Sequence, residues 1–177
     1  MKELIKLTAE LKLRGFSERT IEAYTLHNRK FLEYIKKSLE KITEQEIKDY
    51  MAHLISINNT PRSLALKKAS LKFFYDEVLK KDIVNFKTPK IPKTIPSVLT
   101  KEEIKSLINS AGSYKTKVII QFLYSSGLRL SELTSLKVND LELDEKIGWV
   151  RGGKGAKDRM FVLSNFIIDE LKPYIKT

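Results

Sequence analysis

The chain has 177 residues, 42% of them hydrophobic and 31% charged, a balance that argues against a disordered polyelectrolyte or a membrane protein and accommodates one ordinary domain or two small ones. Lys and Arg number 33 against 22 Asp and Glu, for a net charge of +11, and there is no cysteine. A disulfide framework and thiolate zinc sites are thereby excluded, an intracellular, cytoplasmic location fits, and a long polyanion, nucleic acid above all, suits the charge as a partner; a merely basic soluble protein is the other reading.

From Lys2 to Leu13 the residues Leu4, Ile5, Leu7, Leu11 and Leu13 recur near helical spacing and predict a first helix stopped by Gly15. Interleaved charges make this opening neither a signal peptide nor a membrane span. Ser17 or Thr20 caps a second helix with the stripe Ile21, Tyr24, Phe31, Leu32 and Ile35. Thr43 followed by Glu46 has the form of a capping box and opens a third helix through Ile47, Tyr50, Met51 and Leu54. After the break Asn58-Asn59-Thr60-Pro61, a fourth helix runs to about Lys80 with Leu64, Ala65, Leu71, Phe74 and Val78 inward. Residues 1–84 thus read as an all-helical bundle, and residues 85–97, with three prolines, three lysines and no acid, as an extended basic linker.

Residues 98–177 change character partway. Thr100 opens another Thr-x-x-Glu helix closing near Gly112, and Tyr114–Ser125 and Leu130–Leu136 read as two more around Ser126-Gly127. LELD, IGWVRGG and DRMFVLS are then short strands of a three-stranded antiparallel sheet, followed by a helix from Phe166 to Ile175. The fold class is mainly α: a helical bundle, a linker, and the opening part of an α+β domain.

Three constellations could carry chemistry. In SSGLRLSEL, residues 125–133, Gly127 permits a sharp break and Arg129 has Glu132 one turn on; a braced guanidinium at a helix mouth suits phosphate oxygens, and an exposed ion pair is the other reading. In GGKGAKDR, residues 152–159, Lys154 sits between two glycines with Lys157 and Arg159 nearby, either a mobile ammonium for a ligand or a solvated hairpin. Its G-x-x-x-x-G-K spacing is not a nucleotide loop, because Gly155 stands where Ser or Thr would reach magnesium. In TPRSLALKKASLK, residues 60–72, Arg62, Lys67, Lys68 and Lys72 occur without an acid and can lie along a phosphate backbone or form a solvated face. His27 and His53, the only histidines, lack a second ligand at metal spacing, so no metal and no cofactor is expected.

In order along the chain, GFSERTIEAY, TPRSLALKKASLKFFYDEVL, PKIPKTIPSVLTKEEI, LYSSGLRLSELTSLKVNDL and VRGGKGAKDRMFVLS resemble the tyrosine recombinase (phage integrase) family, most of all its Xer-type members, over nearly the whole length. The resemblance implies a SAM-like core-binding domain over residues 1–84 and the first part of the catalytic domain over 98–177, closing around duplex DNA. It implies that Arg129 holds the scissile phosphate, that Lys154 protonates the departing 5′ oxygen, and that Glu132 organises the box. Arg62, Ser63, Lys67, Lys68, Lys72, Lys90, Lys93, Lys157 and Arg159 are the expected DNA contacts.

The family completes its site with a His-x-x-Arg box, a further His or Trp, and a nucleophilic Tyr. After Arg159 there is no His or Arg, and Tyr174 falls too soon after the Lys loop to be that nucleophile. A tyrosine of ordinary pKa about 10 needs those partners to attack phosphorus, so these residues are expected to bind DNA without cutting it, as a C-terminally truncated or split recombinase and, off DNA, as a monomer. Further recombinase subunits would join on DNA in the complete protein. The alternatives are a natural short protein that occupies recombination sites and a generic packaging protein without site preference.

Overall fold

The structure is a computed structural model that describes residues 2–93, 95–153 and 157–175. The chain divides into two compact units, Met1–Ile95 and Pro96–Thr177. In the first, α1 (Lys2–Leu13), α2 (Glu18–Ile35), α3 (Glu44–Ser56) and α4 (Pro61–Phe73) surround a core of Leu7, Leu11, Phe31, Ile47, Leu64 and Leu71. Local chemistry sets the helix ends. Ser17, rather than Thr20, caps α2 through the N–H of Thr20, and Lys36, in the left-handed region at φ 49°, closes it with an N–H to Leu32. The Thr43 N–H and hydroxyl both donate to Glu46, at 2.6 and 2.7 Å, so the predicted box is formed. Asn59 turns the chain into α4 by donating its backbone and side-chain N–H groups to the Leu54 carbonyl, and Thr60 caps the new helix.

The fourth helix departs from its predicted course. It is α-helical only to Phe73 and continues as a π turn over Phe74–Val78, closed by the Leu79 N–H on the Phe74 carbonyl. Within this turn two consecutive aromatics, Phe74 and Tyr75, are fully buried in the core. Beyond it the chain returns to the bundle: Val84 is fully buried and Phe86 packs on the same core, so the start of the predicted linker belongs to the first unit's packing.

In the second unit Thr100 and Glu103 cap each other at the head of α5 (Lys101–Asn109), and Ser113 caps α6 (Tyr114–Ser126). Gly127, at φ 64°, ends α6 in the left-handed region that favours glycine and turns the chain into α7 (Leu130–Ser135). Strands β1 (Leu141–Glu142), β2 (Ile147–Val150) and β3 (Arg159–Val162) form an antiparallel sheet in the order β1-β2-β3, with Gly148 paired to Phe161 and Val150 to Arg159. Gly148, Val150 and Phe161 face inward, against Phe122 of α6 and Ile167 and Ile168 of α8 (Asn165–Ile175). The protein is therefore mainly α with one small sheet, as its periodicities predict. Among the described residues, no helix is long and apolar enough to cross a membrane.

Candidate nucleic-acid interface

In the second unit five charged side chains line one cleft, where α6 hands over to α7 and the β2–β3 hairpin comes alongside. Arg129 is the cap residue of α7; its N–H donates to Glu132 Oε2 at 2.8 Å and its Nη1 to Oε1 at 2.7 Å. From β3, Arg159 Nη2 reaches the same Oε2 at 2.6 Å. One carboxylate thus joins two guanidiniums from different elements. Its side chain is 8% exposed, against 61% for Arg129 and 39% for Arg159, so the acid is the buried member and the arginines face outward. The Arg129 N–H, followed by the guanidiniums of Arg129 and Arg159, holds the Glu132 carboxyl down at about 2 against the upward push of burial.

The hairpin turn is built on Asp158. Its carboxylate accepts the Gly152 N–H at 2.8 Å and the Arg151 guanidinium at 3.2 Å, and these hold it below the usual carboxylate range, the Gly152 bond first. Gly153 closes the turn by donating to the Lys157 carbonyl. A cleft of about 640 Å³ is lined by Gly127, Arg129, Glu132, Gly153, Lys157, Asp158 and Arg159. Three cations and two ionised carboxylates leave it net positive among the described residues, and the outward guanidiniums offer forked N–H donors matched to phosphate oxygens. Lys154, expected as the general acid, lies outside the described residues with Gly155 and Ala156, as does the side chain of Tyr174.

The expected contacts of the first unit fall into two groups. Arg62 is exposed and lacks a partner among the described residues, and so do Lys90 and Lys93 beyond the bundle. Ser63 is half-buried, its N–H serving the Thr60 cap. The three lysines of α4 are engaged internally: Lys67 on the Asn59 side chain, Lys68 on the Phe86 carbonyl and over its ring, and Lys72 on Asp76 at 2.7 Å and Asn85 at 2.9 Å. The segment from 60 to 72 has no acid in sequence, but folding brings Asp76 and Asp82 to it.

His27 is half-buried, its Nδ1 unpartnered, and burial, then Lys67 and Lys30, hold it below its ordinary value. His53 is exposed and stacks on Tyr34, and no group of residues suited to a metal ion occurs among the described residues. Sequence reading missed the Arg159–Glu132 bridge and the Asp158 cap. A signal for the first existed: Arg159 shares strand parity with the inward Phe161, so its stem leaves the sheet on the core side before the guanidinium reaches the exposed edge.

Residues 4–85 match the phage integrase N-terminal SAM-like domain and residues 97–177 the phage integrase family. The chain is 37% identical over 168 residues to tyrosine recombinase XerA of Pyrococcus horikoshii, covering 94% of this chain and 58% of that protein. It is 30% identical over 180 residues to tyrosine recombinase XerD of Staphylococcus epidermidis, covering 93% of this chain and 60% of that one. It therefore spans about three fifths of the length of these relatives. The fold is shared with the Tn1549 transposon integrase, solved in complex with transposon right end DNA, at a TM-score of 0.71 and 16% identity over 98% of this chain and 64% of that chain. The chain belongs to the phage integrase family of tyrosine recombinases.

Proposed function

We propose that the chain forms a duplex-DNA clamp for site-specific recombination, with a core-binding domain over residues 1–84, a linker over 85–97 whose start packs on that domain, and part of a catalytic domain over 98–177. Arg129 holds the non-bridging oxygens of the phosphate to be cleaved and neutralises charge developing there, and Lys154 donates the proton to the leaving 5′ oxygen. Arg62, Lys90, Lys93 and Lys157 contact the DNA backbone directly, whereas Lys67, Lys68 and Lys72, tied to internal partners, add to the positive field. The chemistry needs neither metal nor a small-molecule cofactor. The observation that carries this reading is the Arg129 guanidinium, paired with Glu132 at 2.7 Å and lining a net-positive cleft.

Residues 1–177 hold no His-x-x-Arg box, and on their own they bind without cutting. The DNA in the solved integrase complex supports DNA as the partner; in this reading further recombinase subunits join on the same site in the complete protein. Selection from a pool of random duplexes tests it. The clamp reading expects enrichment of one inverted-repeat site bound at least about a thousandfold more tightly than the pool. Uniform recovery of sequences would reduce the protein to a packaging factor.

A further inference from the structure

An exposed i,i+3 ion pair does little to order a long side chain, yet Arg129 is 61% exposed and its charge partner lies on its own helical turn. Helix α7 gives little support. It has six residues, of whose apolar side chains only Leu133 rests half-buried against the second unit's core, joined by Leu136 just past the helix end. The well-held group is the Glu132 carboxylate, which Arg129 grips from α7 and Arg159 from β3. Gly153 of the hairpin also comes close, since a Cβ there would fall 3.9 Å from Glu132 Oε1.

We propose that Arg159 is a positioning residue: acting through Glu132, it fixes the Arg129 guanidinium and fastens the β2–β3 hairpin to the start of α7. The proposal rests on the cleft being a phosphate site, and it moves Arg159 from the expected DNA contacts to the machinery behind them. Without Arg159, Oε2 keeps only the Arg129 N–H, and the carboxylate is held by a single turn of a poorly buried helix. Arg159 opens β3 directly after Asp158, whose carboxylate pins Gly152, so the same tie carries the turn between the strands. The described ends of the turn, Gly152–Gly153 and Lys157–Asp158, and the Arg129 guanidinium then meet a phosphate already held together, which lowers the ordering cost of gripping it.

A double-mutant cycle on the whole 177-residue chain tests this, with a labelled arbitrary-sequence duplex at low salt as probe. Arg129→Ala should weaken binding about tenfold, as loss of one charge-assisted contact does. Arg159→Ala should weaken it comparably, the double variant should be no worse than Arg129→Ala alone, and Arg159→Lys, which keeps one N–H for Oε2, should recover most of the affinity. In a Glu132→Gln background Arg159→Ala should add little. Nitrogen-15 spectra supply the independent readout: the Arg129 Nη protons should exchange at least about tenfold faster in Arg159→Ala, while the amide signals of α6 and the sheet stay in place. Additive losses would make Arg159 a direct phosphate contact and overturn the proposal, and unchanged Nη exchange would overturn it equally. If the wild type fails to bind duplex the phosphate reading falls, and the exchange measurement still decides the role of Arg159.

Discussion

Gly148→Ala tests the packing that sets the hairpin in place. Gly148 and Phe161 are directly paired across β2 and β3, and the ring lies over the glycine: a Cβ would fall 2.3 Å from Cζ and under 3.0 Å from both Cε atoms. Phe161 is 5% exposed and also packs on Phe122, at 6.1 Å between ring centroids, so neighbours resist its displacement. Forcing a methyl group into such a contact costs about 1–3 kcal/mol, and the smaller chain entropy of unfolded Ala returns about 0.4–1 kcal/mol. The net loss, about 1.3 kcal/mol from the midpoints of these ranges, lowers the melting temperature of a unit this size by roughly 5–10 °C. Trp149, the only tryptophan, is the next residue on β2, so its fluorescence follows the second unit alone. Adding Phe161→Leu to the alanine variant should recover part of the loss, because the two side chains compete for one space. A melt within about 2 °C of wild type would refute the close approach of ring and backbone.

The Glu132 carboxyl, held at about 2 by the Arg129 N–H first, should titrate near that value in carbon-detected NMR; a midpoint at the unperturbed 4.5 contradicts the shared-carboxylate geometry. Because this acid is depressed on folding, its contribution is complete above 4.5 and lost as pH falls toward 2, and Glu132→Gln should flatten that part of the Trp149 melt. His27 is depressed as a base, by burial first, so the unfolded chain takes the proton more readily and the first unit loses stability as pH falls below 6.5. His27→Gln should diminish this decline in far-ultraviolet circular dichroism melts at pH 5 and 7, and an unchanged pH dependence contradicts the assignment. Asn28 is fully buried and donates to the Tyr24 and Ser70 carbonyls at 2.9 and 3.1 Å, tying α2 to α4. Asn28→Asp replaces that donor with a buried acceptor facing carbonyl oxygens and should cost about 2–4 kcal/mol in urea unfolding; a loss below about 1 kcal/mol contradicts it.

The parts of the fold that sequence reveals are those set within one turn or one strand. Thr43 with Glu46 and Thr100 with Glu103 lie three residues apart and cap as their spacing says, and Gly127 ends α6 because the left-handed region there favours glycine. The π turn was not legible, since nothing in the residues Phe74–Val78 distinguishes a wide turn from a regular one. The site was legible by half. Arg129 and Glu132 are local partners, but the bridge to Arg159 spans 27 positions and exists only because the hairpin folds beside α7. The lysines of α4 read as a free basic row because Asp76, Asp82, Asn85 and Phe86, which engage two of them, come later in the chain.

The central claim is that this chain grips duplex DNA through many phosphates spread over both units. Anisotropy of a labelled duplex across a salt series measures it directly. A clamp neutralising at least six phosphates gives a log-log slope of roughly five or steeper. A slope near one, or no binding at low salt, would contradict the account.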